Sequence, residues 1–356
     1  MGQPRQPVRR RGWPPLHQRR AGPGGEGPPP RGSRGERRPR LDAMTDEFDL
    51  IATIVDALGD ATTSENVVLG PGDDAAVLRL PPEHELVIST DTLVEGRHYP
   101  AGAAPELVGY RTLAVSVSDL AAMGAEPVAA VVSLTAERLT EDWARAFARG
   151  IAEAARAFRT PIVGGNLARG NANICVAVHG SVPQGEGLTR SGASAGDDLY
   201  VTGQIGGAGL ALRSGFLKAQ SISEVERGSA QERYWLPQPR LAIGRRLRGV
   251  ASATIDVSDG LATDVEHICD ASGVGCDIDL GDVPVFPGSD PAAAVCAGDD
   301  YELAFTASPT HAADIGAVAR ETDTPIHCIG RLDDTPGARW RQGGKPISLA
   351  GGFRHF

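Results

Sequence analysis

Six short acidic clusters punctuate this chain of 356 residues. They are Gly72-Asp73-Asp74, Ser89-Thr90-Asp91, Ser116-Val117-Ser118-Asp119, Gly196-Asp197-Asp198, Asp256-Val257-Ser258-Asp259 and Gly298-Asp299-Asp300. Most stand where a hydrophobic run gives way to Gly, Ser or Thr, as at a strand end opening into a loop. Carboxylates beside hydroxyls are hard oxygen donors and suit hard divalent cations. An Asp pair after Gly is equally a turn, because Asp tolerates the left-handed region and bonds its own backbone. Asp197-Asp198 is read that way, as a surface turn before a strand. For the rest, recurrence favours metal: clusters at strand ends can converge on one crevice. No GxxxxGK[ST] phosphate loop occurs. The expected chemistry is phosphate handling through several Asp-held Mg²⁺ ions.

Electrostatics explains why many carboxylates would gather. Two unit charges ~4 Å apart repel by about 4 kcal/mol at an effective dielectric of ~20. A triphosphate meeting a second phosphate creates several such pairs. Mg²⁺ takes near-octahedral oxygen coordination from one or two carboxylates plus phosphates and waters. Several ions would employ about this many Asp.

Other candidates carry two readings each. Gly203–Gly209 follows a strand and precedes a helix, so its N–H groups can cradle an anion; its glycines can equally serve tight packing. Arg190 can pair with a nucleotide phosphate, or be a solvated charge. His98 lies seven residues beyond Asp91 and is structural or functional. Phe353 is a fraying tail residue or a ring that stacks on a ligand.

Composition narrows the partners. Residues 1–43 hold eleven Arg against Glu26, Glu36 and Asp42, a net of +8. That leaves about −18 on the rest of a chain whose total is −10. An acidic body argues against a broad nucleic-acid surface and needs cations to bind phosphates. The first 43 residues, rich in Pro, Gly and Arg, are expected to be disordered. A basic arm, a transit peptide and a translated leader before Met44 are the readings; the leader is adopted, since Ser33 is the only Ser there. No apolar run reaches the ~18 residues of a membrane span; 113–134 is broken by Asp119 and Glu126. Five cysteines without a CxxC argue for reduced thiols in a cytoplasmic protein and against zinc.

The elements that must position these residues alternate. Helices are expected over 47–58, 105–123, 141–158, 237–247, 259–271 and 311–321, with Thr140 as a cap. Strands are expected at 67–70, 86–90, 128–134, 161–163, 174–182, 199–202, 253–257, 275–280, 302–306 and 325–329. The class is α/β (α+β), in two units joined near residue 183: an extension 1–43, a domain 44–182 and a domain 183–356.

The motifs GPGDDAAVL (70–78), STDTLVEGRHY (89–99), AVSVSDLAAMGAEP (114–127), IVGGN (162–166), LTRSGASAGD (188–197), YVTGQIGGAGLAL (200–212), IDVSDGLATDVEHI (255–268) and AGDDYELAF (297–305) together resemble the thiamine-monophosphate kinase family. The resemblance implies the two-domain aminoimidazole-ribonucleotide synthetase-like fold, with the N-terminal domain forming a homodimer. It implies ATP and thiamine monophosphate as substrates and thiamine diphosphate as product. It implies Asp74, Ser89, Thr90, Asp91, Asp119, Asn166, Asp256 and Asp259 as Mg²⁺ ligands, with Asp91, Asp119 and Asp259 catalytic. Gly165, Asn166, Arg190 and Ser258 would contact ATP. His98, Asp299 and Phe353 would contact the acceptor. The family commonly has Glu where this chain has Asp299, and Trp or Tyr where it has Phe353.

Overall fold

The computed structural model describes residues 47–214, 229–349 and 351–352. The expectations for residues 1–43 and for Phe353 lie outside the described residues. The first half runs α1 (Glu47–Leu58), β1 (Val67–Leu69), β2 (Val77–Leu78), β3 (His84–Val94), α2 (Pro105–Ala122), β4 (Glu126–Thr135), α3 (Glu141–Ala157), β5 (Ile162–Ala168) and β6 (Asn173–Pro183). Four strands form one sheet in the order β3-β6-β4-β5. β6 is antiparallel to β3 and β4, whereas β4 and β5 are parallel. A parallel pair needs a crossover, and α3 supplies it. Thr140 caps α3 as its position suggests, its Oγ1 accepting from Trp143 N at 3.2 Å.

Helix α2 lies at the centre. Its Val and Ser residues are weak helix formers, yet it runs unbroken because burial decides. Leu113, Ala114, Val117 and Leu120 are fully buried, as expected of a helix covered on all sides. Thr112 and Ser116 hydroxyls donate back to the Val108 and Thr112 carbonyls at 2.7 and 3.1 Å, which satisfies them without outside partners. α2 meets α3 almost backbone to backbone. A Cβ on Gly150 would come 1.9 Å from the Glu106 carbonyl oxygen. Gly150→Ala is therefore expected to cost about 1–3 kcal/mol through forced separation of the helices. A thermal melt within a degree of wild type would refute that contact.

The second half runs β7 (Asp198–Thr202), α4 (Gly207–Ser214), α5 (Ala230–Trp235), α6 (Leu241–Leu247), β8 (Ala253–Asp256), α7 (Leu261–Ser272), β9 (Gly275–Asp279), α8 (Pro291–Val295), β10 (Leu303–Ala307), α9 (Ala312–Glu321), β11 (Ile326–Asp333), β12 (Gly337–Gln342) and β13 (Lys345–Ile347). Seven strands form a second sheet, β13-β12-β9-β11-β7-β10-β8. Among the described residues β9 and β12 are its one parallel pair. The alternation of strands and helices thus builds mixed sheets, and the class is α+β. α2 also packs on α5, α6 and β8, so one buried helix touches elements of both halves. No helix among the described residues is long and apolar enough to cross a membrane.

Candidate active site

Two elements of the first half, and the end of β8 with the turn after it in the second, bring carboxylates together. On β3, Ser89 and Asp91 are two residues apart and share a face, following the strand's period of two. Asp119 sits in the last turn of α2, and the Ser89 hydroxyl donates to its Oδ2 in a short hydrogen bond. Asp256 ends β8 and is 4% exposed. Asp259 lies in the turn before α7. Only Asp256 therefore fits the expected strand end. Asp91 is inside a strand and Asp119 inside a helix, because the buried α2 carries its polar end to the junction with β8.

The protein groups alone are a crowd of like charges. Burial, then the Asp119 charge, pushes Asp91 up to about 6, against the nearby Ser116 hydroxyl. Burial, with Asp119 and Asp91, pushes Asp256 up to about 7, against Ser118 and Arg190. Burial also raises Asp119, which Ser89 and Arg190 pull down. Burial, with Asp256 and Asp259, pushes Asp264 up to about 8. Arg190, although exposed, is the cation that eases both Asp119 and Asp256. Anionic oxygens this crowded suit divalent cations, whose charge reverses the local balance.

The loop bearing Asp299 docks onto the loop bearing Ser258 and Asp259. Asp299 N donates to Ser258 O at 2.9 Å and Tyr301 N to Val257 O at 2.8 Å. A Cβ at Gly298 would come 2.2 Å from Ser258 O, so only glycine permits this approach. His98 follows β3, and its Nδ1 accepts from Val94 N at 2.9 Å.

Residues 72–182 match AIR synthase related protein, N-terminal domain, and residues 194–341 match AIR synthase related protein, C-terminal domain. The thiamine-monophosphate kinase of Salmonella typhimurium is 36% identical over 322 residues, 87% of this chain and 98% of its own. This chain belongs to the thiamine-monophosphate kinase family. The crystal structure of thiamine-monophosphate kinase from Stenotrophomonas maltophilia is similar, with a TM-score of 0.76 and 35% identity over 83% of this chain and 97% of that one. AaThiL complexed with AMPPCP and TMP is similar over 87% of this chain and 97% of that one, at 26% identity and a TM-score of 0.67.

In this kinase the remaining site candidates stand apart from the carboxylates. Asp74 is exposed in the loop between β1 and β2; its N–H bonds Asp73 Oδ1 at 2.8 Å, and no bond among the described residues ties it to the cluster. Thr90 points to the opposite face of β3 from Asp91, its Oγ1 3.3 Å from Cys175 Sγ. Gly165 and Asn166 are exposed on β5, at the far edge of the sheet from β3. Register places Asn166 beside Ser133 and Cys175, in the row of Thr92 and so on the same face as Thr90.

Three expectations need correction or completion. The Gly203–Gly209 turn does not offer its N–H groups to an outside anion at Gly206. Asp300 already accepts there, its two oxygens 2.8 and 3.0 Å from Gly206 N. A Cβ at Gly209 would lie 2.3 Å from Ala297 Cβ, so the packing reading is the one observed. Asp197 is in a turn but buried rather than at the surface, accepting from Ser252 Oγ at 2.6 Å. Asp264 was not singled out by sequence, yet its Oδ2 accepts from Ser258 N and Asp259 N at 3.1 and 3.2 Å. With Asp259 and His267 it brings ligand atoms within 4.8 Å of one another. Its signal was position: an Asp in the first turn of α7, where loop N–H groups point.

Proposed function

We propose that this kinase transfers the γ-phosphoryl group of ATP to the phosphate of thiamine monophosphate, forming thiamine diphosphate and ADP as the last step of thiamine diphosphate synthesis. The observation that carries the reading is the convergence of Asp91, Asp119 and Asp256 beside Arg190. The complex of AaThiL with the ATP analogue AMPPCP and TMP supports it.

The donor set fits Mg²⁺: Ser89, Asp91, Asp119, Asp256 and Asp259 offer hard oxygens, and of the carboxylates Asp256 is buried and the others are half-buried. Asp74, Thr90 and Asn166 complete the proposed ligands. Bound there, the ions would offset repulsion between the two phosphates. Asp91, Asp119 and Asp259 are the catalytic residues. Ser89 pins the Asp119 carboxylate, and Gly165, Asn166, Arg190 and Ser258 are the proposed ATP contacts. His98, Asp299 and Phe353 meet the acceptor. Its phosphate has a second pKa of ~6 and is already anionic near neutral pH, so no strong base is needed. The chain's task is in-line alignment.

The protein acts as a homodimer in the cytoplasm, without nucleic-acid or membrane partners, and divides into domains 44–182 and 183–356. In support of a dimer, Leu86 and Ile88, on the face of β3 turned away from α2, are 48% and 59% exposed.

ADP release is expected with thiamine monophosphate and Mg²⁺, and to fall to background with unphosphorylated thiamine. A chiral γ-phosphorus should be inverted, because a single in-line displacement inverts configuration. Efficient use of free thiamine would sink the acceptor assignment. Net retention, or a trapped phosphoenzyme, would sink direct transfer.

A further inference from the structure

One buried side chain joins His98 to Asp299. Arg111, in the middle of α2, is 2% exposed. Its Nη2 donates to Asp299 Oδ1 at 2.5 Å, and its Nη1 donates to the Tyr234 carbonyl at 2.6 Å. The guanidinium carbon lies 4.0 Å from the Tyr234 ring centre and 5.8 Å from that of Tyr301. Tyr234 in turn donates its hydroxyl to the His98 carbonyl at 2.6 Å. The three hydrogen bonds link α2, α5, the segment after β3 and the loop before β10.

That loop is strained. Asp299 and Tyr301 both have positive φ, 70° and 51°. Asp tolerates that region, but a bulky residue such as Tyr301 persists there only where its surroundings over-determine it. The surroundings here are the Val257 and Ser258 carbonyls on one side and Arg111 on the other. Asp299 Oδ1 accepts from Arg111 and also from the Tyr301 hydroxyl at 3.0 Å. Oδ2 has no partner among the described residues, and the side chain is 25% exposed. One oxygen is held and the other is presented. Arg111 and Asp119 are eight residues apart on α2, about 12 Å along a helix axis. The same rigid element therefore sets the carboxylate cluster at one point and Asp299 at another.

We infer that Arg111 is the positioning residue of the acceptor subsite, aiming Asp299 Oδ2 at a hydrogen-bond donor or cationic ring of the acceptor and bracing His98 through Tyr234. This rests on the proposed acceptor contacts of His98 and Asp299. Arg111 does not touch the reacting atoms. Its guanidinium fork matters more than its charge, because one nitrogen serves Asp299 and another serves Tyr234. Lysine would keep the charge and lose the fork.

The test compares wild type, Arg111→Lys, Asp299→Asn, their double variant and Tyr234→Phe in steady-state ADP release, with a thermal melt of each. Wild type comes first: no ADP release with thiamine monophosphate would reject the proposed function and leave Arg111 aside. In an active enzyme, Arg111→Lys and Asp299→Asn should each raise the acceptor KM about tenfold or more, as for loss of a charged hydrogen bond. The KM for ATP should move less than about threefold, since only one substrate's contacts change. The double variant should be no worse than the worse single, because both act on one pair: lysine takes away the fork, and the amide takes away the charge and the presented oxygen. Tyr234→Phe removes only the bond to the His98 carbonyl and should raise the acceptor KM alone. If Arg111→Lys does not fold, Asp299→Asn and Tyr234→Phe decide. Equal rises in both KM values, or a lower melting temperature with both KM values unchanged, would overturn the inference.

Discussion

Asp119→Asn is expected to leave the chain folded and to cut turnover by about 10²–10³-fold, the scale seen when one preorganised electrostatic group is removed. Asp119 is the hub of the cluster: Ser89 bonds it, Asp91 and Asp256 feel its charge, and Arg190 faces it. An amide keeps the shape and still accepts from Ser89 but brings no charge to a cation. The same change should not lower the melting temperature in EDTA, because it removes a charge that repels Asp91 and Asp256. Loss of activity with unchanged stability separates a site residue from a scaffold residue. Turnover near wild type at limiting Mg²⁺ would remove Asp119 from the site. So would a collapse in stability that accounts for the lost activity.

How much of this was legible in the sequence depended on the kind of signal. Period and capping placed α3 from Thr140 onward, since its apolar face meets a single core. The same period placed α1 over Glu47–Leu58, although Phe48, Ile51 and Val55 are exposed while Leu50 and Leu58 are buried. Helix α2 shows no strong face because both halves of the molecule cover it, and its length was read despite its composition. β12 escaped notice because Arg339 and Arg341 alternate with Ala338 and Trp340 and pair outward with Asp277, so it reads as a polar loop. In the site, motif context singled out Asp91, Asp119 and Asp256, and the fold brings them together. Spacing could not show that Thr90 and Asn166 share the opposite sheet face, since that follows from register between strands distant in sequence. Nor could it reveal Arg111. A lone Arg in an apolar helix signals burial, but its partners Asp299 and Tyr234 come from the other half of the chain.

Without divalent metal, the protein should lose stability between pH 5.5 and pH 8.5, and Mg²⁺ should restore it most at the alkaline end. Asp91, Asp256 and Asp264 are raised to about 6, 7 and 8, above the ~3.9 of an unfolded Asp. Between those limits the native state holds protons that the unfolded chain has released. The stability they contribute is therefore full below pH ~4 and lost as pH rises through about 6 to 8. Paired carboxylates work in the opposite sense but elsewhere. Asp277, despite some desolvation, is held low by Arg339 and Arg341, so its contribution falls away only in acid. One pKa unit corresponds to about 1.36 kcal/mol; the three sites are coupled, so about 2 kcal/mol is a conservative total, or roughly 5 °C. Mg²⁺ binds the ionised native cluster, and at a hundred times its dissociation constant would add about 2.7 kcal/mol. The gap between melts in Mg²⁺ and in EDTA should thus widen with pH. Asp256→Asn should flatten both curves by removing one of the two fully buried groups among the three. A gap equal at pH 5.5 and 8.5, or a metal-free protein that grows more stable toward alkaline pH, would show that these carboxylates do not form the cation site.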